Sequence, residues 1–354
     1  MALAPRSSTK LPLHAQGLKE VAHRIAIGEL SSVAYTQALI ARIKEKEPEI
    51  QAWAWMKSDH ALAAARKLDA KRAAGSFLGP LHGLPIGVKD ILLTRGVPTG
   101  MGSKIYEHYV PDHNAEVVDR LEAAGGFSLG KTVTTEFAFM VPPKTRNPWN
   151  TAHTPGGSSS GSAAAVACGM VAAAMATQTN GSVIRPAAFC GVVGYKPGKG
   201  VLSTEGILPF SSTLDQPGVI ARTVEDAAFV AARIAHSKWA LNPHVTALGN
   251  PPLLIAYRTH QWHLASEAQR ERLRLDIEMY RAAGAVVDER EMPAIFNESH
   301  RVQRCIMLYE AARAAREVRA SYRNLISDFL NKALDEGEAI SDAEYRSALE
   351  KRLA

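Results

Sequence analysis

Residues 154–186 read TPGGSSSGSAAAVACGMVAAAMATQTNGSVIRP, which places two serines, Ser158 and Ser182, in glycine-rich turns on either side of a run of small apolar residues. Glycine and serine also compose flexible linkers. Residues 163–175, AAAVACGMVAAAM, have no face suited to water and predict one close-packed buried helix, which would pin both turns. Hydroxyls of the 158–162 turn would cap its free N–H groups, and its far end would lead toward the 177–182 turn. Only a return of the chain brings the two hydroxyls together, a path the sequence allows.

Upstream, Gly83-Leu84-Pro85-Ile86-Gly87-Val88-Lys89-Asp90 ends a short apolar run on a lysine. A serine hydroxyl is a weak nucleophile until a neighbouring base takes its proton, so Lys89 is the candidate base. It serves only when neutral. Bringing a lysine pKa down by roughly three costs about 4 kcal/mol of charged-state stability, which burial beside Ile86 and Val88 would supply. Asp90 is read as a structural hydrogen-bond or ion-pair partner. Arg185, beside a packed turn, is left out of the site.

Two other motifs compete for the same glycines. Gly157-Ser158-Ser159-Ser160-Gly161 fits the nucleophile elbow G-x-S-x-G with Ser159 at its centre, but an elbow follows a buried strand and residues 147–155 read as turn and loop. A phosphate loop lacks its Gly-Lys-Ser/Thr.

The ordered segments 83–90, Asn147-Pro148-Trp149-Asn150, 154–165, 181–186 and 188–197 resemble the amidase signature family over roughly residues 32–222. That resemblance implies a nucleophile at Ser182, a bridging Ser158 on a cis peptide bond after Gly157, and Lys89 as base. It also implies an oxyanion hole from the backbone N–H groups of Thr179, Asn180, Gly181 and Ser182. Asn180 stands where many relatives have glycine, and Gln178 where many have aspartate. The implied fold is an α/β one, a central mixed sheet flanked by helices on both faces. The implied activity is cofactor-independent hydrolysis of a linear carboxylic amide to acid and ammonia through an acyl-enzyme, with no metal. The 177–186 turn resembles general amidases more than the transamidating kind. Two alternatives stand beside this reading: the A-type subunit of a glutamyl-tRNA(Gln) amidotransferase, which works with partner subunits, and a non-catalytic remnant. Relatives continue past residue 354, so the resemblance implies a chain shortened at its C-terminus.

Composition agrees with a large enzyme domain: 354 residues at 46% hydrophobic content can bury one sizeable core. The net charge of +6 is modest, and acidic residues are interspersed with basic ones, so nucleic-acid binding is not expected. Arg313, Arg316, Arg319 and Arg323 recur at helical spacing with Glu310 and Glu317 among them, which predicts a salt-laced solvent face. Cys168, Cys190 and Cys305 are an odd count and read as free thiols of a reducing, cytoplasmic compartment. No membrane segment is expected from residues 1–17 or 163–175. His108 with His113 and His260 with His263 lack the acidic or thiol companions of a metal site. The expected partner is a small amide, with a homodimer as a further option.

Helices are expected over 18–27, 32–43, 58–74 and 115–124, the second capped by Ser31 or Ser32, and strands over 84–88, 127–130, 192–195, 253–257 and 285–287. A further helix opens at Thr223, with Asp226 completing a capping-box-like pair. The chain is read as one domain: a helical segment over 1–75, the signature core over 76–225, and a helix-rich part over 226–354.

Overall fold

The computed structural model describes residues 11–236 and 249–353. These fall into two compact units, one within Met1–Val245 and Met307–Ala339, the other within Thr246–Ile306 and Ile340–Ala354.

The larger unit opens with α1 (Leu18–Ala26), α2 (Ser32–Ile50), β1 (Trp53–Trp55), α3 (Ser58–Ala73), β2 (Pro85–Lys89), α4 (Glu116–Ala123) and β3 (Phe127–Thr132). It continues through α5 (Ser160–Ala167), β4 (Ala173–Gln178), α6 (Ile184–Cys190), β5 (Val193–Tyr195), β6 (Gln216–Ala221) and α7 (Val224–Ile234). The strands form one mixed sheet in the order β1-β3-β2-β4-β6-β5. β2 pairs in parallel with both β3 and β4, whereas β1, β6 and β5 join antiparallel. The parallel centre is buried on both faces, as parallel strands require, and every residue of β2 and β3 is buried. Helices flank the sheet on both faces. α5 runs along β1 to β4 and β6, while α4 and α7 pack on each other and on the strands.

α1 buries Leu18, Val21, Ala22 and Ile25, the stripe of an amphipathic helix. Ser31 caps α2 by accepting from Ala34 N. Thr223 caps α7 by accepting from Asp226 N. Asp226 does not close the expected box. Its carboxylate accepts instead from Leu18 N at 2.7 Å, capping α1 from 208 residues away.

The small-residue run is not one helix. It ends as α5 at Ala167, turns at Gly169 with φ +70, and returns as β4. β1, β4 and β6 lie outside the expected strands; the other strands and the first helices begin where the sequence places them, within a residue or two, but α2 runs on past the expected end at 43 to Ile50.

In the smaller unit β7 (Leu253–Arg258) and β8 (Val286–Glu291) pair in parallel, connected by α8 (Glu267–Ala282), whose N-terminus carries a full Ser266–Gln269 capping box. α9 (Ser299–Ala314), α10 (Arg316–Tyr322), α11 (Asp328–Ala339) and α12 (Asp342–Leu353) are the last α-helices of the described residues.

The expected arginine ridge is corrected in one member. Arg319 is buried, 4% exposed, and its guanidinium pairs with Asp335 and Glu338 of α11. Arg323 also meets Asp335, while Arg313 lies over the Tyr309 ring. The row fastens α10 to α11 and is not wholly a solvent face. Cys168, Cys190 and Cys305 are free. Burial pushes the Cys168 thiol up to about 11 and the Cys190 thiol up to about 12, which leaves both unreactive.

Candidate active site

Lys89 ends β2 and Thr177 lies near the end of the parallel neighbour β4, so both face the same edge of the sheet. The crevice beyond the carboxyl ends of parallel strands is where α/β sheets place ligands. Lys89 is fully buried. Its Nζ donates to Ser158 Oγ at 2.7 Å, to Thr177 Oγ1 at 2.8 Å and to the Thr177 carbonyl at 3.5 Å. Burial pushes the lysine pKa well down; the Asp215 carboxylate opposes this and the Arg185 guanidinium adds to it.

The serine run divides its labour. Ser158 alone among its neighbours meets Lys89, across a cis bond from Gly157. The others do not cap α5. Ser159 Oγ donates to the Thr177 carbonyl, Ser160 Oγ to Gly156 O, and Ser162 Oγ bonds Thr132 Oγ1 and the Met175 carbonyl. These hydroxyls fasten the helix start to β3, β4 and its own loop. Ser159, the rival elbow nucleophile, is fully buried and follows bends and turns, not a strand.

Ser182 lies in the turn between β4 and α6, 6% exposed. Helix α6, which follows that turn, packs against the Ser158 loop. Arg185 donates through Nε and Nη2 to the Gly157 carbonyl, at 3.1 and 2.7 Å, and Gly156, at φ +76, packs so closely on Pro186 that a Cβ would sit 3.0 Å from the proline Cα. Thr179, Asn180 and Gly181 precede Ser182 in the turn. Neither Asn180 nor Gly181 takes a positive φ, so the tolerance of asparagine for left-handed angles is not used here. Gln178 Oε1 accepts from Val183 N at 2.9 Å and Ile184 N at 3.1 Å, closing the turn from its other side.

Three residues of this site gave no sequence signal of their own. Thr177 and Arg185 are local but of ordinary type. Asp215 is distant: it accepts from Thr179 Oγ1 across 36 residues, and from Phe210 N and Ser211 N of its own loop. Burial raises the Asp215 pKa, against its hydrogen bonds and Lys89. Asp90 plays the expected structural part. It is buried 3.7 Å from Lys131 and accepts from Gly100 N.

No group of acidic, histidine or cysteine side chains among the described residues could hold a metal ion, and no described helix is long and apolar enough to cross a membrane. His113 pairs with Asp112 at the surface, and His260 meets the ring edge of His300.

A buried lysine at the end of a central strand, bonded to a serine in a glycine-rich loop against which α6 packs, forms the centre of the candidate site. The profile of the amidase family matches residues 34–351, and the chain belongs to that family. A crystal structure described as an amidase superposes with a TM-score of 0.86 at 30% identity, over 96% of this chain and 77% of that one. The native peptide amidase of Stenotrophomonas maltophilia gives 0.82 at 30% identity, over 95% and 78%. The A-type subunit of the glutamyl-tRNA(Gln) amidotransferase of Chloroflexus aggregans is 46% identical over 217 residues, 60% of this chain and 44% of its own length. The chain thus aligns with less than half the length of that curated relative.

Proposed function

We propose that the protein hydrolyses a linear carboxylic amide to acid and ammonia. Neutral Lys89 takes the Ser158 proton while Ser158 takes that of Ser182. The Ser182 oxygen then bonds the carbonyl carbon, and the oxyanion sits against the backbone N–H groups of Thr179, Asn180, Gly181 and Ser182. The C–N bond breaks as the relay returns a proton to the nitrogen, which leaves as ammonia. Water, deprotonated through the same relay, cleaves the ester and restores Ser182. No cofactor enters any step.

The observation that supports this most is the 2.7 Å contact of a fully buried Lys89 with Ser158, because the ammonium there is bonded to neutral oxygens and its neutral form is favoured. A fluorophosphonate probe tests the reading: label is expected on the wild type and on Ser159→Ala, and none on Ser182→Ala. No label on folded wild-type protein would favour a non-catalytic remnant.

A second reading is favoured by the curated relatives, which are named as A-type components of glutamyl-tRNA(Gln) amidotransferases. Under it, ammonia is released from glutamine only when partner proteins are added, and small amides are not turned over by the chain alone.

A further inference from the structure

A base in a proton relay must gain a proton as readily as it gives one up, and a lysine closed to solvent among neutral oxygens gains one poorly. Lys89 Nζ is bonded to oxygens of Ser158 and Thr177, none of them charged. Asp90, the next residue in the chain, is paired with Lys131 at 3.7 Å. Asp215 reaches the lysine's surroundings from the loop before β6. One of its carboxylate oxygens accepts from Thr179 Oγ1 at 2.5 Å, the other from Phe210 N at 2.7 Å and Ser211 N at 2.8 Å. Burial raises the Asp215 pKa, and these three donors oppose that and fix the carboxylate in one place. Thr177, Thr179 and Asp215 line one narrow crevice, so the carboxylate borders the threonine whose hydroxyl and carbonyl both bond Lys89. Among the described residues two charges act on the lysine: Asp215 favours its ammonium form, and Arg185, whose guanidinium holds the Gly157 carbonyl, opposes it.

We infer that Asp215 is a positioning residue of the relay: it holds the Ser182 turn through Thr179 and is the fixed counter-charge for the ammonium that forms on Lys89 during attack. The inference rests on the hydrolase reading above. As the Ser182 oxygen bonds the carbonyl carbon, its proton passes to Ser158 and the Ser158 proton to Lys89. A neutral amine thereby becomes an ammonium, and the carbonyl oxygen becomes an oxyanion. An ammonium formed away from water is stabilised by a charge already in place, which needs no reorganisation at that moment. The same carboxylate opposes the oxyanion. Arg185 supplies the opposite sign there, since its Nη1 lies 3.5 Å from where a Cβ on Gly181 would sit, beside the proposed oxyanion turn.

The experiment uses the full chain and two readouts: the pH dependence of fluorophosphonate labelling, and nitrogen NMR titration of the Lys89 amine, its signal assigned by its loss in Lys89→Met. Asp215→Asn removes the charge but keeps the shape, an acceptor for the two loop amides, and a donor that can meet Thr179 Oγ1. Both the acid limb of labelling and the Lys89 midpoint are expected to move down by about one pH unit, because nothing then favours the ammonium. The labelling rate on the plateau is expected to fall about tenfold, as a weaker base takes the proton less well. Arg185→Gln removes the opposing charge and is expected to move both midpoints up. A slower Asp215→Asn with unmoved midpoints would confine Asp215 to holding the turn and overturn the assignment. Shifts of one direction in both variants would mark altered packing and overturn it too. If Asp215→Asn does not fold, the wild type decides: the assigned Asp215 carboxyl carbon should show a step at the Lys89 midpoint that Lys89→Met lacks, and no step overturns the inference. No label on the wild type at any pH, with the amine midpoints shifted as expected, would instead overturn the hydrolase reading and leave the charge coupling standing.

Discussion

Lys89 donates to three neutral oxygens from a position closed to solvent, and two opposite consequences follow for activity and stability. If it is the base, kcat/KM should rise with pH through its lowered pKa and level off above it. Lys89→Arg and Lys89→Met should each reduce kcat/KM by about 10⁴-fold, and neither should keep that acid limb. For stability the sign is fixed by proton counts. The folded pKa lies below the ordinary lysine value of about 10.4, so between the two the unfolded chain holds more protons, and stability rises with pH across that window and falls as pH drops through the folded pKa. Lys89→Met removes the buried amine, so the inactive variant should melt at or above the wild-type temperature near pH 7, with a flatter pH dependence. A melting temperature several degrees lower would mean that the amine is held for structure. Lys131 should behave in the reverse sense. It pairs with buried Asp90 and donates to Leu92 O and Thr99 Oγ1. Lys131→Met therefore leaves a buried carboxylate uncompensated and should cost about 3–5 kcal/mol in a denaturant titration. At this scale the sequence singled out Lys89 and Ser158, which the structure joins at 2.7 Å. It was silent where an ordinary threonine or a distant aspartate is recruited, because nothing local marks Thr177 or Asp215 as neighbours of the lysine.

The element that reads falsely from sequence is β4. Ala173, Ala174, Met175 and Ala176 are fully or almost fully buried, so the strand shows no alternation of apolar and polar residues, and alanine-rich apolar runs resemble helix by composition and propensity. What separates α5 from β4 is Gly169, whose φ of +70 ends the helix, followed by a register on β6 that pairs Ala173 with Ala221 through to Gln178 with Gln216. β1 is three residues long and β6 begins Gln-Pro-Gly, so each lacks the length or the β-branched start that marks a strand. α5 itself is seated by a missing side chain. A Cβ on Gly161 would fall 2.1 Å from Ala52 O and 2.3 Å from Val133 N, both of them backbone. Gly161→Ala must therefore push the helix off the sheet edge, with an expected cost of about 2–3 kcal/mol. Because Ser158 and Ser160 precede and open this helix, fluorophosphonate labelling at Ser182 should slow in parallel. A variant with wild-type melting and labelling would show that α5 has room to shift.

At the scale of the whole molecule, the candidate site depends on residues a hundred positions beyond its motifs. Glu310, on α9, accepts from Ser211 Oγ and Thr213 Oγ1 and, at 2.9 Å, from Thr213 N, 99 and 97 residues away in sequence. Asp215, in the same loop, reaches Thr179. The 209–215 loop is thus held at one end by a late helix and at the other by the turn that carries Ser182, which no motif-by-motif reading of residues 83–197 could reveal. Glu310→Ala leaves two hydroxyls and one amide of a partly buried loop without their acceptor. At 1–3 kcal/mol for a buried group left unsatisfied, a loss of about 3 kcal/mol is expected overall, or roughly 2–4 °C of melting temperature per kcal/mol for a unit of this size. Glu310→Gln keeps the shape and one acceptor oxygen and should lose about half as much. The discriminating measurement is kinetic. If the loop positions Asp215 and Phe210 for the reaction, both variants should lower kcat for a small amide well below the melting transition while leaving the acid limb of the pH profile in place, since Lys89 is untouched. A fall in melting temperature with wild-type kcat would confine Glu310 to holding the fold together.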